Sequence, residues 1–140
     1  MTTIVDTNVV IALWDTDPQL NAAAQQALDA LQAQGALVIT GAIYAELLAL
    51  PGRTEPMLDE FLSVTGMRAD WQMSEEIWRL AGRAFQGYAS RRSTKRTELP
   101  RRILADFLIG AYASVRRCRL LTLDQPLYRA AFPDLEVATF

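Results

Sequence analysis

The chain has 140 residues, of which 51% are apolar, and a formal net charge of −2, which predicts one domain over residues 1–140 with a single hydrophobic core. The sequence has no apolar run near the roughly 20 residues that span a bilayer, and no signal segment before its first apolar run, so we expect a cytoplasmic protein without membrane contact. Cys118 is the only cysteine and histidine is absent, which excludes an internal disulfide and argues against a zinc site.

Short apolar runs alternate with helical patterns along the chain. The predicted strands are residues 3–6, 36–40, 67–71, 119–122 and 136–140. The predicted helices are residues 9–14, 18–34, 42–50, 55–64, 75–91 and 101–117. Most of the strands are continuous apolar runs, which is typical of a parallel sheet covered on both faces. The sequence therefore predicts an α/β domain with right-handed crossovers.

The helical spacing in residues 75–91 also predicts part of the core. Its apolar stripe consists of Ile77, Leu80, Ala81, Ala84, Phe85 and Tyr88. We interpret the three tryptophans, Trp14, Trp71 and Trp78, as core or interface residues rather than base-stacking platforms. Residues 90–100 have no apolar period and are predicted to be a loop or a frayed helix end.

Two acidic residues follow predicted strands. Asp6 and Asp124 each stand where an apolar strand gives way to a helix or turn, and either could simply cap a helix. The carboxyl ends of parallel strands are also where open α/β sheets bind ligands. Thr122 would point to the same side as Asp124 in an extended segment, although it could equally be an ordinary strand threonine.

Two other acidic residues lie within apolar helical patterns. Glu46 lies within the apolar stripe of its helix, which Ile43, Leu47 and Leu50 form at spacings of three or four, although it could face solvent instead. Asp106 is surrounded by apolar residues in mid-helix, where aspartate is a poor helix former, and its alternative is a buried ion pair with Arg102. An uncompensated carboxylate is costly to bury, so these positions need a partner.

Taken together, these four acids predict a metal site. Two at strand ends and two on helices could converge on one crevice and form an oxygen-rich site. Such ligands suit Mg²⁺ or Mn²⁺ rather than zinc. These ions can activate water and stabilise the charge that develops on a phosphodiester.

Charge is unevenly distributed along the chain. Residues 1–78 contain two arginines and eleven acids, whereas residues 79–140 contain twelve basic residues and five acids. The basic cluster consists of Arg91, Arg92, Lys95, Arg96, Arg101 and Arg102. It could bind a polyanion such as RNA, or it could be a solvated helix end.

These motifs resemble those of the PIN domain family, and in particular those of VapC-type toxin ribonucleases of type II toxin–antitoxin systems. The similar segments are Ile4-Val5-Asp6-Thr7-Asn8, Ala42-Ile43-Tyr44-Ala45-Glu46-Leu47, Ala105-Asp106-Phe107-Leu108-Ile109-Gly110-Ala111 and Leu121-Thr122-Leu123-Asp124. They occur in the family's order, with intervals of 40, 60 and 18 residues between the acids. Many such toxins have proline before the third acid, where this chain has Ala105.

The resemblance implies a three-layer α/β/α domain with a central parallel sheet of about four to five strands. It implies a Mg²⁺- or Mn²⁺-dependent endoribonuclease that hydrolyses RNA by metal-activated water, forms a homodimer and is inhibited by a VapB-type antitoxin. The expected catalytic metal ligands are Asp6, Glu46, Asp106 and Asp124, with Asp124 assigned to a second metal or to a ligand held through water. Thr7, Asn8 and Thr122 would orient the ligands. The alternative is a catalytically inert PIN-like module that binds RNA or protein.

Overall fold

The computed structural model describes residues 1–92 and 104–140. Strands and helices alternate through this part of the chain. The strands are β1 (Thr3–Val5), β2 (Leu37–Thr40), β3 (Arg68–Asp70), β4 (Arg119–Leu121) and β5 (Val137–Ala138). The described helices are α1 (Thr7–Leu13), α2 (Pro18–Gln32), α3 (Gly41–Leu48), α4 (Glu55–Thr65), α5 (Glu75–Arg92), α6 (Leu104–Val115) and α7 (Gln125–Ala131).

The strands form one parallel sheet in the order β3-β2-β1-β4-β5. Ile4 of β1 pairs with Val38 of β2 and with Leu120 of β4, and all three side chains are buried. Helices flank the sheet, so the predicted three-layer α/β/α class and all five predicted strands are confirmed. Buried apolar side chains explain the three inner strands β2, β1 and β4, since strands covered on both faces need them, whereas the edge strands β3 and β5 are less buried.

Six of the described helices match the predicted ones within a few residues, but α7 was not predicted. It has only seven residues, with Pro126 in its first turn, so its apolar period is too short to detect. Residues 93–103, which include most of the predicted loop and the first residues of the predicted sixth helix, lie outside the described residues.

The core confirms the stripe predicted on α5. Ile77 and Ala81 are fully buried, and the other stripe residues pack against the core. Trp14 also packs there, with its ring 5.0 Å from that of Phe61. Trp71 and Trp78 are 60% and 49% exposed, so the core alternative is wrong for them and the interface alternative stays a prediction.

Gly110 of α6 is required by the close approach of Phe132. A Cβ at this position would lie 2.2 Å from Cε2 of the Phe132 ring. We expect Gly110→Ala to destabilise the fold by about 1–3 kcal/mol, because the ring or α6 must move. Denaturant unfolding would measure this loss. Gly82→Ala on α5 is the matched control. Apart from the backbone of its own helix, the new Cβ would meet no atom within 4 Å, so this change should stabilise the protein by about 0.5–1 kcal/mol.

In the described segments, no helix has both the length and the apolar character that crossing a bilayer requires.

Candidate active site

The acidic residues meet at the point where the sheet reverses its strand order. The chain proceeds outward from β1 to β2 and β3 on one side, and β4 and β5 lie on the other. Ligands of open α/β sheets bind at such a switch point, beyond the carboxyl ends of the strands. A cavity of about 250 Å³ lies there. Its lining residues are Asp6, Thr7, Asn8, Ile11, Glu46, Asp106 and Asp124.

Helix packing brings the acids to this cavity from distant parts of the sequence. Asp6 is the N-cap of α1, Glu46 lies on α3, and Asp106 lies in the first turn of α6. Helix α3 contacts both α1 and α6, so the three helices form adjoining walls. Asp124 reaches the same cavity from the loop after β4, which pairs directly with β1.

Asp6 is the most deeply buried of these acids, with 4% of its surface exposed. Its Oδ1 accepts a hydrogen bond of 2.8 Å from the Thr7 N–H, and its Oδ2 accepts one of 2.7 Å from the Thr122 hydroxyl. Both hydrogen bonds lower the pKa of Asp6, but burial raises it by more, and the charge of Asp124 also raises it. Asp6 therefore caps its helix, as one interpretation predicted, and also faces the cavity.

Glu46 is held by a neighbour of Asp6. The Thr7 hydroxyl donates a 2.7 Å hydrogen bond to Glu46 Oε1. The Glu46 side chain is half-buried, so the alternative in which it faces solvent is wrong. Burial raises the pKa of Glu46, and the charge of Asp6 raises it further. Thr7 thus contacts both acids, through its N–H and its hydroxyl.

Asp124 is the N-cap residue of α7, the position that the helix-cap alternative gives it, but its side chain makes no capping hydrogen bond. Its own N–H donates to Thr122 Oγ1 over 3.0 Å. Asp106 lines the same cavity. Arg102, the alternative partner predicted for Asp106, lies outside the described residues.

A polar network connects the two strand ends. The Thr122 hydroxyl donates to Asp6 and accepts a 3.4 Å hydrogen bond from Asn8 Nδ2. Asn8 Oδ1 accepts a 3.0 Å bond from the Leu123 N–H. Thr122 also satisfies the strand interpretation, because its N–H donates to the Ala138 carbonyl. The predicted orienting role of Thr7, Asn8 and Thr122 stays a prediction, and these contacts are suited to it.

The donor chemistry of the cavity fits a hard divalent cation. Four carboxylates line it, and within residues 1–92 and 104–140 neither Asp6 nor Glu46 forms an ion pair. No three carboxylates of the described residues are arranged as they stand to ligate one ion together. A +2 charge would offset the mutual repulsion that opposes their closer approach.

The predicted basic cluster lies mostly outside the described residues. Arg91 is exposed on the last turn of α5, and Arg92 ends that helix. Lys95, Arg96, Arg101 and Arg102 all fall within residues 93–103.

Sequence reasoning missed Tyr128, a fully buried residue of α7. Burial raises its pKa, and the charges of Asp6, Asp106 and Glu46 raise it further, which locates the phenol beside the acids. Tyr128 is four residues after Asp124, so a predicted α7 would have indicated this proximity.

The parallel sheet and its acidic crevice define an α/β domain with a candidate hydrolytic site at the switch point. The family model of the PIN domain matches residues 3–133, and the chain belongs to that family. PIN domains are generally nucleases, and these nucleases generally use divalent metal ions.

Several solved toxin–antitoxin structures have a similar fold. VapBC2 from Rickettsia felis, bound to a DNA fragment from its promoter, gives a TM-score of 0.72 at 17% identity, covering 99% of this chain and 98% of that one. VapBC-1 from nontypeable Haemophilus influenzae gives 0.69 at 17% identity, with the same coverage. FitAcB from Neisseria gonorrhoeae gives 0.63 at 22% identity, covering 96% and 95%. Comparison with curated proteins gives no significant match.

Proposed function

We propose that the protein is a Mg²⁺- or Mn²⁺-dependent endoribonuclease and the toxin of a VapBC-type toxin–antitoxin pair. The observation that supports this most strongly is the cavity at the switch point, which Asp6, Glu46, Asp106 and Asp124 line together. Membership of the PIN domain family and the fold shared with VapBC and FitAcB agree with it.

In this proposal Asp6, Glu46 and Asp106 hold the ion directly. Asp124 holds a second ion or a ligand bound through water. The Thr7 hydroxyl orients one oxygen of the Glu46 carboxylate, and the Thr7 N–H and the Thr122 hydroxyl orient the two oxygens of Asp6. Asn8 holds Thr122 and the backbone at Leu123 in place.

A bound divalent ion would lower the pKa of water and neutralise the charge that develops on the phosphodiester. The protein's side chains would position the ion and the water. Their carboxylates would keep the ion at the switch point and accept hydrogen bonds from the attacking water. Four acids also repel the substrate's phosphates, so RNA must be held by positive charge elsewhere on the protein.

The decisive experiment is cleavage of total RNA with Mn²⁺, with Mg²⁺ and with excess EDTA. We expect cleavage with either ion and none with EDTA. Metal-independent cleavage, or no cleavage under any condition, would refute the proposal.

The basic cluster is the proposed RNA-binding surface. Replacing Arg91, Arg92 and Arg96 together with Gln should weaken RNA binding and flatten its salt dependence. Each phosphate of single-stranded RNA that the variant no longer neutralises should reduce the slope of log K against log salt by about 0.7, or by about 2 for three phosphates. Binding titrations at several salt concentrations would measure this slope. Arg129→Gln, an exposed arginine on α7, is the control, and an unchanged slope in the triple variant would assign the cluster to a solvated helix end.

A VapB-type antitoxin is the proposed inhibitor, and a homodimer in the cytoplasm is the proposed state of the toxin. Helix α4 offers apolar surface to a partner, since Met57 and Val64 are both exposed. Val64 also lines a groove with Leu13 and Leu28. A small DNA-binding protein encoded next to this gene should copurify with the protein and suppress cleavage, and Val64→Asp should weaken that complex.

The second candidate is an inert PIN-like module that binds RNA or protein. Calorimetric titration with Mn²⁺ separates the two proposals, because an inert module has no need of a stoichiometric metal site. Tight binding with defined stoichiometry supports the nuclease.

A further inference from the structure

Tyr128 supports the acidic crevice from inside the protein. It is 0% exposed and does not line the cavity, so it cannot touch a substrate there. Helix α7, which carries Tyr128, packs on α5, α6 and β5. The charges of Asp6, Asp106 and Glu46 all act on its phenol. Tyr128 therefore contacts the site only from the protein interior.

The hydroxyl of Tyr128 has no hydrogen-bond partner among the described residues. It is nevertheless close enough to Asp6 to lower the pKa of that carboxyl. A buried hydroxyl without a partner is unfavourable, and phenylalanine would fill the same space without that cost. Within the described part of the chain the fold gains no hydrogen bond from this oxygen, and Asp6 is the neighbouring group that it can serve.

Asp6 has room for another donor. A carboxylate offers about four lone-pair sites. The Thr7 N–H and the Thr122 hydroxyl occupy one on each oxygen. A further donor on the protein side would leave the cavity side for a cation.

We propose that Tyr128 is a positioning residue of the nuclease site, whose hydroxyl completes a hydrogen bond to Asp6 when that carboxylate takes up its role as a ligand. The inference rests on the proposed function. Tyr128 acts through Asp6 and touches neither RNA nor ion. It holds Asp6, the most buried of the proposed ligands, from the side that faces the protein interior.

Tyr128→Phe is the test, and Thr3→Val is its matched control. Thr3 is also fully buried, and its Oγ1 is the other buried hydroxyl without a partner in the described part of the chain. It begins β1, three residues before Asp6, and does not line the cavity. Both changes delete an unpartnered hydroxyl, but only one deletes it beside the acids.

Calorimetric titration with MnCl₂ should show binding to Tyr128→Phe that is on the order of ten-fold weaker than to the wild type. Thr3→Val should bind Mn²⁺ as the wild type does. Without metal, thermal unfolding of both variants should occur at or above the wild-type temperature, since each loses an unpaired buried group. Cleavage by Tyr128→Phe should show a lower kcat with an unchanged KM for RNA.

Equal Mn²⁺ affinity in Tyr128→Phe and wild type would overturn this inference and leave the proposed function intact. A lower unfolding temperature for metal-free Tyr128→Phe would also overturn it, because the hydroxyl would then serve the fold. If the wild type itself fails to bind Mn²⁺, the proposed function fails, and this inference fails with it.

Discussion

Asp6→Asn should lower the rate of metal-dependent RNA cleavage by more than about 100-fold, because it removes a ligand charge at nearly constant shape. Loss of a residue that only supports a ligand typically costs about 10–100-fold, so loss of a ligand itself should cost more. The kcat for cleavage of total RNA with Mn²⁺ would measure the change. Glu60→Gln, an exposed acid on α4, is the control and should keep full activity.

The same substitution should stabilise the metal-free protein. The pKa of Asp6 is raised in the folded chain by burial and by Asp124. A raised carboxyl pKa contributes stability that is present below the unfolded pKa and is lost as the pH rises through the folded pKa. Asn cannot ionise, so Asp6→Asn should exceed the wild type in unfolding free energy at neutral pH. The advantage should vanish in acid, where Asp6 is protonated.

Denaturant unfolding in EDTA at several pH values would check this sign. A variant that loses both activity and stability would indicate that Asp6 serves the helix cap alone. Full activity in Asp6→Asn would refute its assignment as a ligand.

Mn²⁺ should stabilise the wild type in a pH-dependent manner. At a free concentration 100 times its Kd, a ligand that binds only the folded state adds about 2.7 kcal/mol to the free energy of unfolding. Protons compete with the ion for the carboxylates. Burial raises the pKa values of both Asp6 and Glu46, so the stabilisation should be lost on acidification at a higher pH than ordinary carboxyls would allow.

Thermal unfolding with and without Mn²⁺, across the acid range, would measure that loss. Asp106→Asn serves as the site control and should show little stabilisation at any pH. Equal stabilisation in Asp106→Asn and wild type would assign the ion to another part of the protein.

The sequence was enough to predict the five strands, because most of them are short apolar runs between turn signals, although β3 itself is Arg-Ala-Asp. It did not determine the strand order. The pairing of β1 with β4 joins Thr3 to Arg119, and no local pattern encodes a contact over that separation. The class of fold could still be predicted, since alternating strands and helices favour a parallel sheet.

The four acids of the candidate site could be predicted from the sequence, but the contacts that hold them in place could not. Asp6 and Glu46 stood out because each interrupts an apolar pattern. The Thr7 hydroxyl bond to Glu46 and the Tyr128 phenol behind Asp6 depend on how helices pack, which one sequence does not reveal. No sequence pattern singled out Tyr128, and its buried hydroxyl without a hydrogen-bond partner is recognised only in the folded structure.

The hydrogen bond from Thr122 to Asp6 spans 116 positions of the chain. A ribosome makes Asp6 early and Thr122 late, and β4 must emerge before it can pair with β1. A nascent polypeptide that ends at α6 therefore lacks one wall of the crevice. If the protein cuts RNA as proposed, a nascent copy cannot do so until the ribosome has made residues 122–124 and they have joined the crevice.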